Sequence, residues 1–299
     1  FRRATWHLDF MWGFDGVAHQ PSLNPISFHT TKTDLEDTYL VGKISCKHHP
    51  FVEHFKFIKA LEDKNTVAKQ TIPAPAQFLL QCLFTQNLET TKAIYPDTND
   101  LILDIAIAYQ QVIQDLYNAG CRNLQLDDCS WGLFFGHDLN EENKKFANQL
   151  LKVNNLAIAK APQDMVITTH ICRGNYNSDY FSQGSYDSVA PIIFGQENVS
   201  AYYLEFDDER SGNFESLKEI SDNKKVVLGL ITTKTPELEN KQEIIARIHE
   251  ATKYIPLDRL CLSPQCGFAS CEIGNKLTEE QQWAKLALVK EIAKEVWGD

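Results

Sequence analysis

No stretch of the 299-residue chain approaches the ~18 consecutive apolar residues of a membrane-spanning helix, which excludes that kind of span. Lysine and arginine form no run, and the formal net charge is −11, so neither nucleic acid nor an anionic membrane is expected as a partner. A glycine-rich phosphate loop, a dinucleotide fingerprint and a nucleophile elbow are all missing. So is a Pro/Gly/Ser-rich linker, and one domain over residues 1–299 is the simpler expectation. The eight cysteines are thinly spread, with no signal-peptide pattern, and read as reduced thiols of a cytoplasmic protein, some of them ligands. With 43% apolar and 23% charged residues, the composition is that of an ordinary globular protein, long enough for one barrel.

What is present is an alternation of β-rich apolar runs with helical stretches. Candidate strands are residues 39–46, 66–72, 123–127, 165–170, 201–205, 226–231 and 259–263. Most are short runs without period-2 alternation, as expected of parallel strands buried on both faces. Helices are clearest at Asp100 to Asn118 and at Thr278 to Trp297. In the second, Thr278 and Gln281 form a capping-box pattern, and Trp283, Leu286, Val289, Ala293 and Val296 mark one face. The alternation favours an α/β fold of the (β/α)8 TIM-barrel type, with seven strands visible and one missing.

In such barrels the catalytic groups sit at the carboxyl ends of strands. Here those ends carry Asp127-Asp128, His170 and Cys172, Glu205, Lys234 and Cys266. Each has an ordinary structural reading: a cap on the next helix for Asp127-Asp128, a satisfied core histidine, buried thiols, one solvated carboxylate among several. Their coincidence at successive strand ends favours one site. His170 and Cys172 lie two apart at a strand end, so they point to the same side. With Glu205 and Cys266 they make a mixed N/S/O set suited to tetrahedral Zn²⁺. Cys46, His48, His49 and His54 are a weaker cluster that nothing else completes, and the five-residue spacing of Cys261, Cys266 and Cys271 matches no common metal pattern.

Together, His170-Ile-Cys172-Arg-Gly174, Glu205 after Tyr202-Tyr203-Leu204, Leu262-Ser-Pro-Gln-Cys266-Gly-Phe-Ala-Ser270 and Leu124-Gln-Leu-Asp127-Asp128 resemble the catalytic half of cobalamin-independent methionine synthase. The resemblance is strongest to its short single-barrel relatives, and it spans essentially the whole chain. It implies the barrel shared with uroporphyrinogen decarboxylase and catalytic zinc on His170, Cys172, Glu205 and Cys266. It also implies an aspartate, Asp127 beside Asp128, that holds the amino group of homocysteine. Family members place a first strand, a helix and an acidic residue before a segment like Phe1 to Phe10, so that strand and a substrate contact are expected to be missing. The implied activity is transfer of a methyl group to the thiol of homocysteine, giving methionine.

Two departures bear on the methyl donor. Where the large enzymes carry a histidine after strand seven, this chain has Gly229-Leu-Ile-Thr-Thr-Lys234-Thr-Pro236, so the proton donor falls on Lys234. The tryptophan of the third strand region is replaced by Thr71-Ile-Pro-Ala-Pro-Ala-Gln77. Methyltetrahydrofolate needs its leaving group protonated, whereas a methyl-corrinoid does not. Either donor is compatible with the motifs, and the departures favour one other than folate polyglutamate. A metal-free decarboxylase-like lyase and a zinc-binding protein without catalysis are the alternatives. The Tyr-, Ser-, Gly- and Asn-rich loop from Asn175 to Asn198 reads as a lid or as plain surface.

Overall fold

The computed structural model describes residues 5–21, 26–33, 36–84 and 86–298. Its centre is a parallel sheet of β3 (Lys69–Pro73), β4 (Asn123–Asp128), β5 (Val166–Ile171), β6 (Ala201–Glu205), β7 (Lys225–Ile231) and β8 (Leu260–Pro264). Every strand pairs with its sequence neighbour, in the order β8-β7-β6-β5-β4-β3. These six strands are successive members of a (β/α) barrel wall, and among the described residues β3 and β8 are the edges of the sheet. The run at 39–46 is a strand, but not one of this sheet. As β2 (Glu36–Ser45) it pairs antiparallel with β1 (Asp15–Pro21), so the parallel set expected from the sequence loses one member. Residues 1–4 of the opening segment lie outside the described residues.

Helices α1 (Phe51–Lys59), α2 (Pro75–Leu83), α3 (Leu88–Ile94), α4 (Thr98–Asn118), α5 (Glu141–Ile158), α6 (Lys241–Ala251) and α7 (Glu279–Trp297) make up the rest of the regular structure, apart from a short antiparallel pair, Ile26–Ser27 with Lys32–Thr33, and single turns. Helix α4 starts where Asp97 accepts a hydrogen bond from Asn99 N, and α7 starts at a reciprocal Thr278–Gln281 capping box. The face that α7 buries differs from the expected one. Lys285, Leu288 and Ile292 are covered, while Trp283 is 59% exposed. A buried ammonium breaks the apolar stripe: Lys285 Nζ bonds Glu237 O at 2.6 Å and Glu239 Oε1 at 3.0 Å.

Strand β7 is the continuous apolar run expected of a strand covered on both sides, with Val226 to Ile231 all buried. Strand β4 alternates instead. Leu124, Leu126 and Asp128 are buried, while Gln125 and Asp127 line an internal cavity. The barrel interior is therefore polar where it widens toward the carboxyl ends of the strands.

Candidate metal and substrate site

Strand β5 delivers His170 and turns sharply two residues beyond Cys172. Gly174 makes the turn possible: its φ is +90°, and a Cβ there would lie 2.6 Å from Phe181. Strand β6 ends on Glu205, whose amide N–H donates to the Tyr186 hydroxyl at 2.9 Å. Cys266 follows Gln265, which is tied back to β7 by Gln265 N to Ile231 O at 2.8 Å. Gly229 on β7 allows that close approach, since a Cβ there would sit 2.7 Å from Gln265 Cα. One ligand atom each from His170, Cys172, Glu205 and Cys266 falls within 4.8 Å of all the others. The ends of β5, β6 and β8 thus converge on one point.

The cluster opens on a cavity of about 1010 Å³, lined by His170, Cys172 and Cys266 but not by Glu205, which is fully buried behind them. The Nδ1 of His170 lies 3.2 Å from Tyr203 O, which leaves Nε2 turned toward the cluster. That Nε2 and Glu205 Oε2 are buried polar atoms without hydrogen-bond partners among the described residues. Glu205 Oε1 accepts from Arg173 N at 3.0 Å. Two orphaned donor atoms beside two thiols are what a metal-binding cluster leaves open, and the donor set suits zinc.

Charge is distributed unevenly over the side chains of the cluster. Burial alone would depress the imidazole of His170, but the negative charges of Cys266, Glu205 and Asp127 outweigh it and push it up to about 10. Cys266 is held well below the ordinary thiol range, by a hydrogen bond from Cys172 and by the charges of His170 and Lys234. Cys172 is raised well above that range by its contacts with Cys129 and Cys266 and by burial. Burial raises Glu205, and the charge of Lys234 opposes that rise.

Asp127 lines the same cavity, and its Oδ1 accepts from Gln125 Nε2 at 2.6 Å. Asp128 does not reach it, which corrects its expected substrate contact. Successive strand residues face opposite ways, and Asp128 points into the helix layer, fully buried. There it accepts from Ser130 N and Oγ, Trp131 Nε1 and Asn154 Nδ2. Lys234 is buried, its charge acts on Glu205 and Cys266, and it is not among the cavity-lining residues. Sequence reasoning missed Cys129, which lines the cavity and contacts the Cys172 thiol. The signal was available: Cys129 lies two residues beyond Asp127, the same spacing that joined His170 to Cys172.

The other motifs fall elsewhere. His49 is a core residue, with Nε2 at 2.9 Å from Phe10 O and its ring 4.2 Å from the Phe10 ring. Burial lowers it to about 4. The loop after Cys172 is not plain surface. Its first part lines the cavity with Asn175, Tyr176 and Phe181, and Asn175 Nδ2 donates to Gly267 O at 2.6 Å. Its second part packs Tyr186, Val189, Ile193 and Phe194 into the core.

A parallel α/β sheet with its polar cluster and cavity at the carboxyl ends of the strands defines an enzyme of the barrel class. Residues 93–295 match the model of the cobalamin-independent synthase catalytic domain, and the chain belongs to that family of methyltransferases. It is 43% identical to the Bacillus subtilis protein YxjH, over 99% of this chain and 79% of the relative. The structure of a putative vitamin-B12-independent methionine synthase from Listeria monocytogenes matches with a TM-score of 0.75 and 36% identity, over 98% of this chain and 79% of that one. A B12-independent methionine synthase from Shewanella sp. W3-18-1, solved with selenomethionine, shares the fold with a TM-score of 0.69 at 21% identity, over 97% of this chain and 79% of that one. No helix among the described residues is long and apolar enough to cross a membrane.

Proposed function

We propose that the protein moves a methyl group onto the thiol of homocysteine, giving methionine, and that zinc is its resident metal. The observation that carries this reading is the meeting of His170, Cys172, Glu205 and Cys266 within 4.8 Å at the floor of a cavity that Asp127 also lines. A decarboxylase-like lyase would have no use for two thiols and an imidazole held together in this way. A zinc protein without catalysis would have no use for a cavity of about 1010 Å³, at the upper end of the ~300–1,000 Å³ of ligand sites.

His170 Nε2, the sulfurs of Cys172 and Cys266, and a Glu205 carboxylate oxygen would hold the metal. Bound there, zinc would supply the Lewis acidity that keeps a thiol deprotonated near neutral pH. Asp127 would bind the substrate ammonium and orient the amino acid so that its sulfur faces the cavity. The thiolate then attacks the methyl carbon of the donor, forming the new S–C bond as the donor's bond to methyl breaks. Tyr176 and Phe181, with Trp6 and Trp12 across the cavity, would exclude water around the donor.

Two donors fit the reading, methyltetrahydrofolate and a methyl-corrinoid. The position of Lys234 off the cavity wall favours a donor whose departure needs no proton. All eight cysteines are free thiols, which supports a reducing compartment, the cytoplasm. The test is methionine formation by the zinc-loaded protein from homocysteine with each donor in turn, followed by mass spectrometry. Turnover with at least one donor is expected. Well-folded, zinc-loaded protein that methylates homocysteine with neither would overturn the reading.

A further inference from the structure

The loop after β7 holds a cation that these steps leave unused. Lys234 is 8% exposed, and its Nζ has no hydrogen-bond partner among the described residues. Its place is fixed rather than incidental. The neighbouring Thr233 donates to Gln265 Oε1 from both N and Oγ1 at 2.8 Å, and Gln265 directly precedes Cys266. Thr233 O accepts from Asn275 Nδ2 at 2.8 Å, which anchors the loop from its other side. An ammonium buried without a partner is destabilising unless negative charge lies close by.

The other two cations near the cluster are already engaged. Arg210 pairs with Asp207 at 2.8 Å and Asp208 at 2.5 Å, and lies 3.6 Å from Glu205 Oε2. The Arg173 guanidinium stacks 4.2 Å over Tyr186 and 4.5 Å over Phe135, and only its backbone N–H reaches Glu205. Lys234 makes no ion pair among the described residues, yet its charge acts on both Glu205 and Cys266. The ligand set has need of it. Two thiolates, a carboxylate and a neutral imidazole around a divalent cation leave a net charge of −1, and a substrate thiolate makes it −2.

We infer that Lys234 is a positioning residue, the buried counter-charge that favours homocysteine as its thiolate beside the four-residue cluster, and not a proton donor to the leaving group of the methyl donor. The inference rests on the thiol-methyltransferase reading. The test loads the full protein with Co²⁺ and titrates homocysteine by visible absorption, for the wild type, Lys234→Met, Lys234→Gln and Lys234→Arg. Removing the charge is expected to weaken homocysteine binding by about 10- to 100-fold, the usual effect of losing a group that supports a metal shell, and Lys234→Arg should recover most of it. The loss should be the same whichever donor is later added. Wild-type homocysteine affinity in Lys234→Met and Lys234→Gln, with turnover lost only for methyltetrahydrofolate, would overturn the inference and restore the proton-donor role. Cobalt-loaded wild type whose spectrum ignores homocysteine would instead overturn the methyltransferase reading itself.

Discussion

Asp127 on β4 and His170 on β5 are register partners across a parallel pair, so the carboxylate that would hold the substrate stands at the same height as the first metal-ligand candidate. Asp127 also contributes to the charge that raises His170. Asp127→Asn keeps the shape and removes the charge. It is expected to weaken homocysteine binding by roughly 10- to 100-fold, since a hydrogen bond to a charged group contributes ~1.5–3 kcal/mol. Zinc content should not change. Calorimetric titration with homocysteine, alongside metal analysis of the variant, checks both; loss of zinc would make Asp127 a ligand or a support for one.

Asp128, one residue on, should behave in the opposite way. Asp128→Ala strips the acceptor from Ser130, Trp131 and Asn154 in a fully buried setting. The expected cost is on the order of 3–5 kcal/mol of stability, because each abandoned buried donor costs ~1–3 kcal/mol. Denaturant melts read the loss. Homocysteine affinity of the folded fraction should stay at the wild-type level, and a selective fall in affinity would return Asp128 to the substrate site.

The same buried layer carries a pH dependence. Glu197 is pushed up to about 8 by burial and by the charge of Asp128, against an ordinary value of 4.5. The folded chain keeps a proton that the unfolded chain releases, so this group's contribution to stability falls as the pH rises from 4.5 to about 8. The slope is at most ~1.4 kcal/mol per pH unit. Glu197→Gln can still accept from Asn154 through its oxygen, and places its amide where Oε2 has no partner among the described residues. Thermal melts at pH 6 and pH 8 should show a smaller decline in the variant than in the wild type. An equal decline would show that Glu197 ionises normally.

Much of the site could be read from residue order, because strand-end residues two apart share a side and one strand follows the next around the sheet. That logic placed His170, Cys172, Glu205 and Cys266 at strand ends, and it could have placed Cys129. It failed where neighbours were taken as a unit: Asp127-Asp128 reads as one acidic pair, yet the pleat sends the second carboxylate into the helix layer. It also failed for residues 39–46, whose apolar run is the same for a parallel barrel strand as for one arm of an antiparallel hairpin. The partner, Asp15–Pro21, is too polar to announce itself. The buried stripe of α7 was misjudged for a related reason, since no hydrophobic pattern points to a lysine such as Lys285, held in the interior by Glu237 and Glu239.

Zinc K-edge X-ray absorption on the protein purified without chelator tests the metal site most directly. About one zinc per chain is expected, with two sulfur neighbours at ~2.3 Å and nitrogen or oxygen neighbours at ~2.0–2.2 Å. Cys172→Ser and Cys266→Ser should each remove one sulfur from that shell. A protein that takes up no zinc, or zinc held only by nitrogen and oxygen, would contradict it.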